Sequence, residues 1–417
     1  MSDLSKDQTA YAVYTPAIQP WYSVFPYEQD GGLFDQRVNG KLALSDLNLL
    51  APNPLCHISH ALYSAGLAFE LGKADCMVRQ RQLLSTTIIG DSGGFQVNRG
   101  LLGPLTDALR LNILRWLEEM CDAGHNLDVP LKALDNPKLS GFTTFDQCLD
   151  ETVRGLRYFS DKRQRADFRL LNVLQGRTQD EADRWYQAVR VFRLEGVAFA
   201  GVMKADFHYV CKRLLGMIDA GELGANSWMH FLGVATPEIA IILTALKRAL
   251  RRAGLTNLEL TFDTSTPFSD GGRYKRAAAG LRFGSKKMTI HRHQMPMTPD
   301  ECSRRAPFPF DSPVGRRLLM GDLMPGTVNG EVAWDKAGWM MLTNHNVYAE
   351  VSAIIQANKV MDLGHRLAGT IPYHVREAAD AVYHVFTTGQ PGKYLKAHRA
   401  ALEQFSKALP EGDDSER

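Results

Sequence analysis

The chain has 417 residues, 45% of them hydrophobic and 23% charged, with a formal net charge of +2. This is an ordinary globular composition with material for a large core, and overall charge does not announce nucleic acid. No apolar run reaches the ~18 residues needed to span a bilayer.

Met1-Ser2-Asp3-Leu4-Ser5-Lys6 lacks an apolar core, so no secretory signal is expected. Cys56, Cys76, Cys121, Cys148, Cys211 and Cys302 form no CxxC pair. That predicts reduced thiols and a cytoplasmic protein with no membrane contact. Residues 1–50 read as a loop-rich N-terminal layer, with turns at Phe25-Pro26-Tyr27 and Asp30-Gly31-Gly32. Ile58, Leu62, Ala65, Leu67 and Ala68 recur at helical spacing, which predicts a helix over 57–71 ending at Gly72. Thr86-Thr87-Ile88-Ile89 predicts a buried strand that runs into Gly90-Asp91-Ser92-Gly93-Gly94-Phe95-Gln96-Val97. A carboxylate at a buried strand's end, beside two glycines, suits the floor of a small-molecule pocket. A plain strand-ending turn would look the same.

A helix is then expected over 107–121, a strand over 129–134 closing on Asp135, and a helix over 145–159. Strand 169–174 ends at Gln175, and helix 179–194 follows. Strand 197–200 ends at Gly201, before helix 206–219. Strand 229–232 ends at Gly233. Helix 237–253 starts with a Thr236 cap and Pro237, and strand 258–262 ends at Asp263. Strand–helix units of roughly 30 residues imply a parallel sheet, and several strands end on polar or glycine residues. The expected fold is an α/β (β/α)₈ TIM barrel with its chemistry on the C-terminal rim. A doubly wound open sheet is the alternative, although no GxGxxG fingerprint is present. Six prolines fragment 284–340 into an irregular insertion. Helical pattern returns at 346–362, 374–387 and 393–408, and the tail from Pro410 reads as disordered. The domain reading is therefore a layer over 1–50, a barrel domain over 51–390 with the insertion, and a C-terminal helix and tail over 391–417. Residues 271–317 hold eleven Lys/Arg against three Asp/Glu, a pattern that marks either a phosphate-binding face or a solvated loop.

The predicted strand ends bring Asp91, Asp135, Gln175, Gly201, Gly233 and Asp263 together. Carboxylates and an amide suit a planar hydrogen-bonding base, and a second carboxylate can attack a sugar anomeric carbon. These residues resemble the tRNA-guanine transglycosylases. Asp91 to Val97 match that family's DSGGFQV motif in full. Leu174-Gln175-Gly176 is similar to its VQG strand end, and Ala200-Gly201-Val202 to its GGL turn. Leu232 to Glu238 are similar to its MGVGTPE, and Phe262-Asp263 sits where it has FD. The matches run in family order over 85–265. The resemblance implies exchange of guanine for a 7-deazaguanine on a polynucleotide, with no cofactor for the chemistry. It makes Asp263 the nucleophile and Asp91 the general acid/base. Ser92, Gly93, Phe95, Gln175, Gly201 and Val202 then shape the base pocket. The base-reading carboxylate is either Asp135, on the barrel-rim argument, or Asp146, since Phe145-Asp146-Gln147-Cys148 resembles the bacterial FDEC.

The departure is at the metal site. The family has CxCxxC and a later HN pair. Here the pair survives as His345-Asn346, but the cysteine cluster does not. His291 and His293 would share a strand face, so the sequence allows a structural zinc site from His291, His293, Cys302 and His345; loss of the zinc, with these as ordinary surface or core residues, is the alternative. The altered zinc region, the chain length and the unusual first 85 residues look most like the DNA-modifying branch, the DpdA-type DNA-guanine transglycosylases. That branch places bases such as 7-cyano-7-deazaguanine in DNA. Transfer to tRNA is the alternative, and a catalytically silent nucleic-acid-binding subunit is a third reading. Expected partners are DNA or tRNA, the free deazaguanine base, accessory modification proteins and a second copy of the chain. His57, His60, His125, His208 and His230 read as structural or surface residues.

Overall fold

The computed structural model describes residues 2–28, 34, 37–38, 41–72, 74–298, 303–326, 334–364 and 369–406. Cys302, the Asp30-Gly31-Gly32 turn and the tail from Pro410 lie outside these. Eight parallel strands close into a barrel: β1 (Val13–Ile18), β2 (His60–Ser64), β3 (Thr87–Asp91), β4 (Ala123–His125), β5 (Arg169–Leu174), β6 (Gly196–Phe199), β7 (Trp228–Phe231) and β8 (Glu259–Thr264). Each pairs with the next, and β8 returns to β1, with Asp263 beside Thr15. The expected (β/α)₈ TIM barrel is present.

The helices around it begin where a short polar side chain can take an orphan backbone N–H. Thr106, Thr144, Thr178, Asp206 and Thr236 cap α1 (Asp107–Met120), α2 (Phe145–Lys162), α3 (Gln179–Val189), α4 (Phe207–Asp219) and α5 (Pro237–Arg252). At Thr144 the cap is reciprocal, because the Gln147 side chain returns to the Thr143 and Thr144 N–H groups. Small and branched residues fill the barrel interior, among them Ala17, Leu62, Ile89, Val173 and Ala198.

Several elements differ from the sequence expectation, among them the helix expected over 346–362, which begins at Lys336, and that over 393–408, which is two short helices, Pro391–Ala397 and Arg399–Glu403. The N-terminal layer supplies a barrel strand, β1, whose six residues are all buried. Lys247 on α5 anchors the segment before it by donating to the Tyr11 carbonyl at 2.6 Å. The segment 57–71 is not one helix: His60–Ser64 is β2, and only Ala65–Ala68 is α-helical. All five residues of β2 are buried, so its apolar run faces both ways and carries no strand period. The strand expected over 129–134 lies earlier, as the three-residue β4, and Leu131–Asp135 is a 3₁₀ turn.

After β8 the chain forms an antiparallel hairpin, β9 (Arg276–Arg282) with β10 (Thr289–Gln294). The long α6 (Lys336–Asp362) packs on it, and α7 (Tyr373–Thr387) packs on α5. Asn346 on α6 accepts from the Ala278 N–H and donates to the Arg276 carbonyl, both at 2.8 Å. Met288 N–H, at the hairpin's tip, donates to Glu238 at 2.7 Å, which fixes the tip over the start of α5 at the C-terminal rim. No helix among the described residues is long and apolar enough to cross a membrane.

Candidate active site

The C-terminal rim surrounds an open cavity of ≈ 230 Å³ whose polar lining includes Asp91, Asp128, Gln175, Lys204, Gly233 and Asp263. Asp91 ends β3. Its Oδ2 accepts from Ser64 Oγ at 2.7 Å, and Ser64 is its register partner on β2. Burial raises the Asp91 carboxyl above the usual range; the Ser64 hydroxyl and the Gly93 N–H oppose that, and the Asp263 charge adds to it. Gly93 has φ of 103°, a left-handed conformation that turns the chain at once into the short helix Gly94–Asn98. Ser92 points away from the cavity; it is buried and donates to the Asn126 carbonyl at 2.9 Å, tying β3 to the end of β4.

Asp128 stands three residues beyond β4 and is buried. Gln175 Nε2 donates to its Oδ2 at 2.8 Å. Burial pushes this carboxyl up to about 7; the Gln175 bond opposes the shift and the Asp91 charge adds to it. A Cβ on Gly94 would sit 3.2 Å from Asp128 Oδ1 and 3.0 Å from Pro130 Cγ, so the second glycine of the pair leaves room for this carboxylate. A Cβ on Gly201 would sit 3.0 Å from Gln175 Oε1, and its φ is 64°.

Asp263 lies opposite, on β8. Its Oδ1 accepts from the Gly233 N–H at 2.8 Å and from His230 Nε2 at 3.1 Å. Lys204 Nζ donates to the Gly233 carbonyl at 3.4 Å, and Lys132 is exposed at the mouth.

No protein-family model matches the chain, and no curated protein matches it.

The cavity therefore gathers Asp91, Asp263, Gln175 and Phe95 from the expected residues; Gly93 and Gly201 are not in its lining, whose glycines are Gly94 and Gly233. Val202 is half exposed at the rim. Neither expected base-reading carboxylate lines the cavity. Asp135 is exposed at the end of the 3₁₀ turn, and Asp146 is exposed at the start of α2, paired with Arg184. Because β4 is only three residues long, the rim falls at 126–128, and Asp128 holds that place. Ser64, Asp128, Lys132, Lys204 and His230 are additions. Asp128 had a signal, as the one carboxylate in the apolar run Leu127–Pro130, and His230 had one in preceding the rim strand end at Gly233; the others had none, Ser64 because β2 reads as helix.

The expected zinc ligands do not come together among the described residues, which hold no group of three His, Cys, Asp or Glu able to bind a metal. His345 is buried with both ring nitrogens engaged: Nε2 donates to the Ala278 carbonyl at 2.9 Å and Nδ1 accepts from Ser312 Oγ at 2.8 Å. His291 and His293 are exposed, and the Phe310 ring packs on both His293 and His345. As placed, these side chains do not fit a zinc ion, and no step below passes through one.

Proposed function

We propose that this chain is a cytoplasmic transglycosylase that replaces guanine in DNA with a 7-deazaguanine such as 7-cyano-7-deazaguanine. The observation that carries the reading is the pair of carboxylates, Asp91 and Asp263, facing one cavity with a third carboxylate, Asp128, bonded to the Gln175 amide in its wall. Its volume is below the ~300–1,000 Å³ of drug-sized sites. It suits one base, so the target nucleotide must leave the DNA stack.

Ionised Asp128 accepts from the two N–H groups on the pyrimidine edge of guanine, and Gln175 holds it in place. Asp263 attacks C1′; the C1′–O bond forms as the C1′–N9 bond breaks, and the electron pair leaves with the base. Asp91, which burial keeps protonated beyond the usual carboxyl range, gives its proton to that base. The resulting carboxylate then takes the N9 proton of the incoming deazaguanine. Its nitrogen attacks C1′, and the C1′–O pair returns to Asp263. One glycosidic bond replaces another, so no energy source is needed.

Much of the basic stretch 271–317 is internally engaged. Arg292 pairs with Asp270 and Glu350, Arg316 with Asp311, and Arg304 and Arg317 donate to backbone carbonyls. Arg282, Lys286 and Lys287, near the hairpin tip at the rim, are exposed. They suit the phosphates flanking a flipped nucleotide. The choice of DNA over tRNA rests on the resemblance.

The test is nucleoside mass spectrometry of DNA and tRNA from cells with and without the gene. Deazaguanosine in DNA that disappears with the gene is the expected result. Modified tRNA beside unmodified DNA would reverse the substrate assignment. Charge reversal at Lys286 and Lys287 is expected to weaken nucleic-acid binding and to reduce the salt slope by about two.

A further inference from the structure

The floor beneath Asp263 is polar. His230 on β7 is fully buried, as is Thr261 on β8. Trp228 Nε1 donates to Thr261 Oγ1 at 2.9 Å, so that hydroxyl must place its own proton elsewhere. The nearer acceptor is His230 Nδ1 at 2.7 Å; the Met229 carbonyl is at 3.3 Å. With Nδ1 accepting, the ring proton is on Nε2, which faces Asp263 Oδ1 at 3.1 Å. The Gly233 N–H meets the same oxygen. No described residue bonds to Oδ2. The other titratable groups facing this floor are His125, whose ring lies 4.9 Å from that of His230, and Asp91 and Tyr14, which feel the Asp263 charge. Lys204 lies beyond, at Gly233.

We propose that His230 is a positioning residue for Asp263, at the end of a Trp228–Thr261–His230 relay that clamps Oδ1 and leaves Oδ2 as the attacking oxygen. The proposal rests on the transglycosylase reading. In the first half-reaction the Oδ2–C1′ bond forms and the pair from C1′–N9 leaves with guanine. In the second, that bond breaks and its pair returns to the carboxylate. Two N–H donors on Oδ1 stabilise the carboxylate more than the neutral ester, because hydrogen bonds to an ionised acceptor are the stronger ones. The clamp therefore favours breakdown of the covalent intermediate as well as orientation of the nucleophile.

The experiment combines kinetics with nitrogen-15 NMR of the histidine rings in the free, full-length protein. In the wild type, His230 is expected to show a protonated Nε2 and an accepting Nδ1, and Asp263→Ala is expected to move both signals. On guanine-containing DNA, His230→Phe is expected to lower turnover by roughly tenfold to a hundredfold, the loss of one charge-assisted bond. The fraction of enzyme held as DNA adduct on a denaturing gel is expected to rise. His230→Gln, which carries an N–H at the Nε2 position, is expected to restore most of the turnover. Should the Phe variant not fold, His230→Asn, polar but too short to reach Asp263, takes its place. A proton on Nδ1 alone, no NMR response to Asp263→Ala, or adduct and turnover falling together in both variants would overturn the proposal. A wild type that forms neither adduct nor exchanged base on DNA or tRNA would instead overturn the transglycosylase reading. The NMR result would then still decide whether Asp263 holds His230.

Discussion

The two sides of the rim treat the same functional group in opposite ways. On the β7–β8 side, Asp263 receives a backbone N–H from Gly233 and a ring N–H from His230, both on one oxygen. On the β3–β5 side, burial outweighs the donors. Asp91 has Ser64 and Gly93 yet is raised, and Asp128 has Gln175 yet is pushed up to about 7. Hydrogen-bond donors suit a carboxylate that attacks; desolvation suits Asp91, which in the proposed mechanism must give and take a proton. Environment thus sets the proposed nucleophile apart from the other two carboxylates, and the Gln175 bond distinguishes Asp128 from Asp91.

The largest expected effect tests the nucleophilic side. Asp263→Ala removes the only group assigned to hold the sugar, so exchange is expected to fall at least about a thousandfold and the covalent adduct to vanish. Exchange that continues undiminished would erase the division between the two sides.

Asp128→Asn tests the desolvated side in both activity and stability. An amide cannot accept from two base N–H groups as a carboxylate does, so exchange is expected to drop roughly a hundredfold. Stability moves the other way. Folded Asp128 keeps its proton to about 7, whereas an unfolded aspartate loses it near ~3.9. Between those values the folded state binds the extra proton, so this group lowers stability as pH rises through the window. The variant is therefore expected to unfold at a higher temperature than the wild type at pH 8, by the equivalent of about 1–4 kcal/mol, with the gap closing toward pH 4. A variant less stable at pH 8 would show that the partners of Asp128 outweigh its burial.

The same contrast explains what the sequence made legible. The β7–β8 side was readable because the segments Met229–Leu232 and Leu258–Phe262 read as strands ending at Gly233 and Asp263. The β3 motif was readable as a block. The residues that set its proton chemistry were not. Ser64 sits on a strand whose all-buried residues mimic helical spacing, and Asp128 follows a strand of three residues, too short to give a period. Register across β2 and β3, which places Ser64 against Asp91, is a property of the closed barrel and not of either segment. The HN pair was recognisable, but its partners Ser312 and Ala278 lie 33 and 67 residues away in chain terms.

A smaller effect is expected at Gly94, where the β3 side makes room for its base reader. An Ala there brings a methyl within 3.2 Å of Asp128 Oδ1 and 3.0 Å of Pro130 Cγ. One of them must shift by a few tenths of an ångström. Gly94→Ala is therefore expected to raise KM for the free base several-fold with little change in kcat, and to destabilise by about 1 kcal/mol. An equal fall in kcat would mean that the methyl disturbs Asp91 instead.

Ser64→Ala gives the finest test, because it changes one bond to Asp91 and nothing on the Asp263 side. The Ser64 hydroxyl donates to Asp91 Oδ2 and so favours the ionised carboxyl. Without it Asp91 keeps its proton to higher pH. Guanine departure needs that proton, so the alkaline limb of adduct formation, followed with no incoming base present, is expected to move upward. The second half-reaction needs the carboxylate, and at neutral pH it is expected to slow by roughly fivefold, the worth of about one neutral hydrogen bond. The two half-reactions thus move in opposite directions from a single hydroxyl. Only a group that both gives and takes the proton behaves in that way, and rates of the two half-reactions that change in the same direction at neutral pH would assign the proton to another residue.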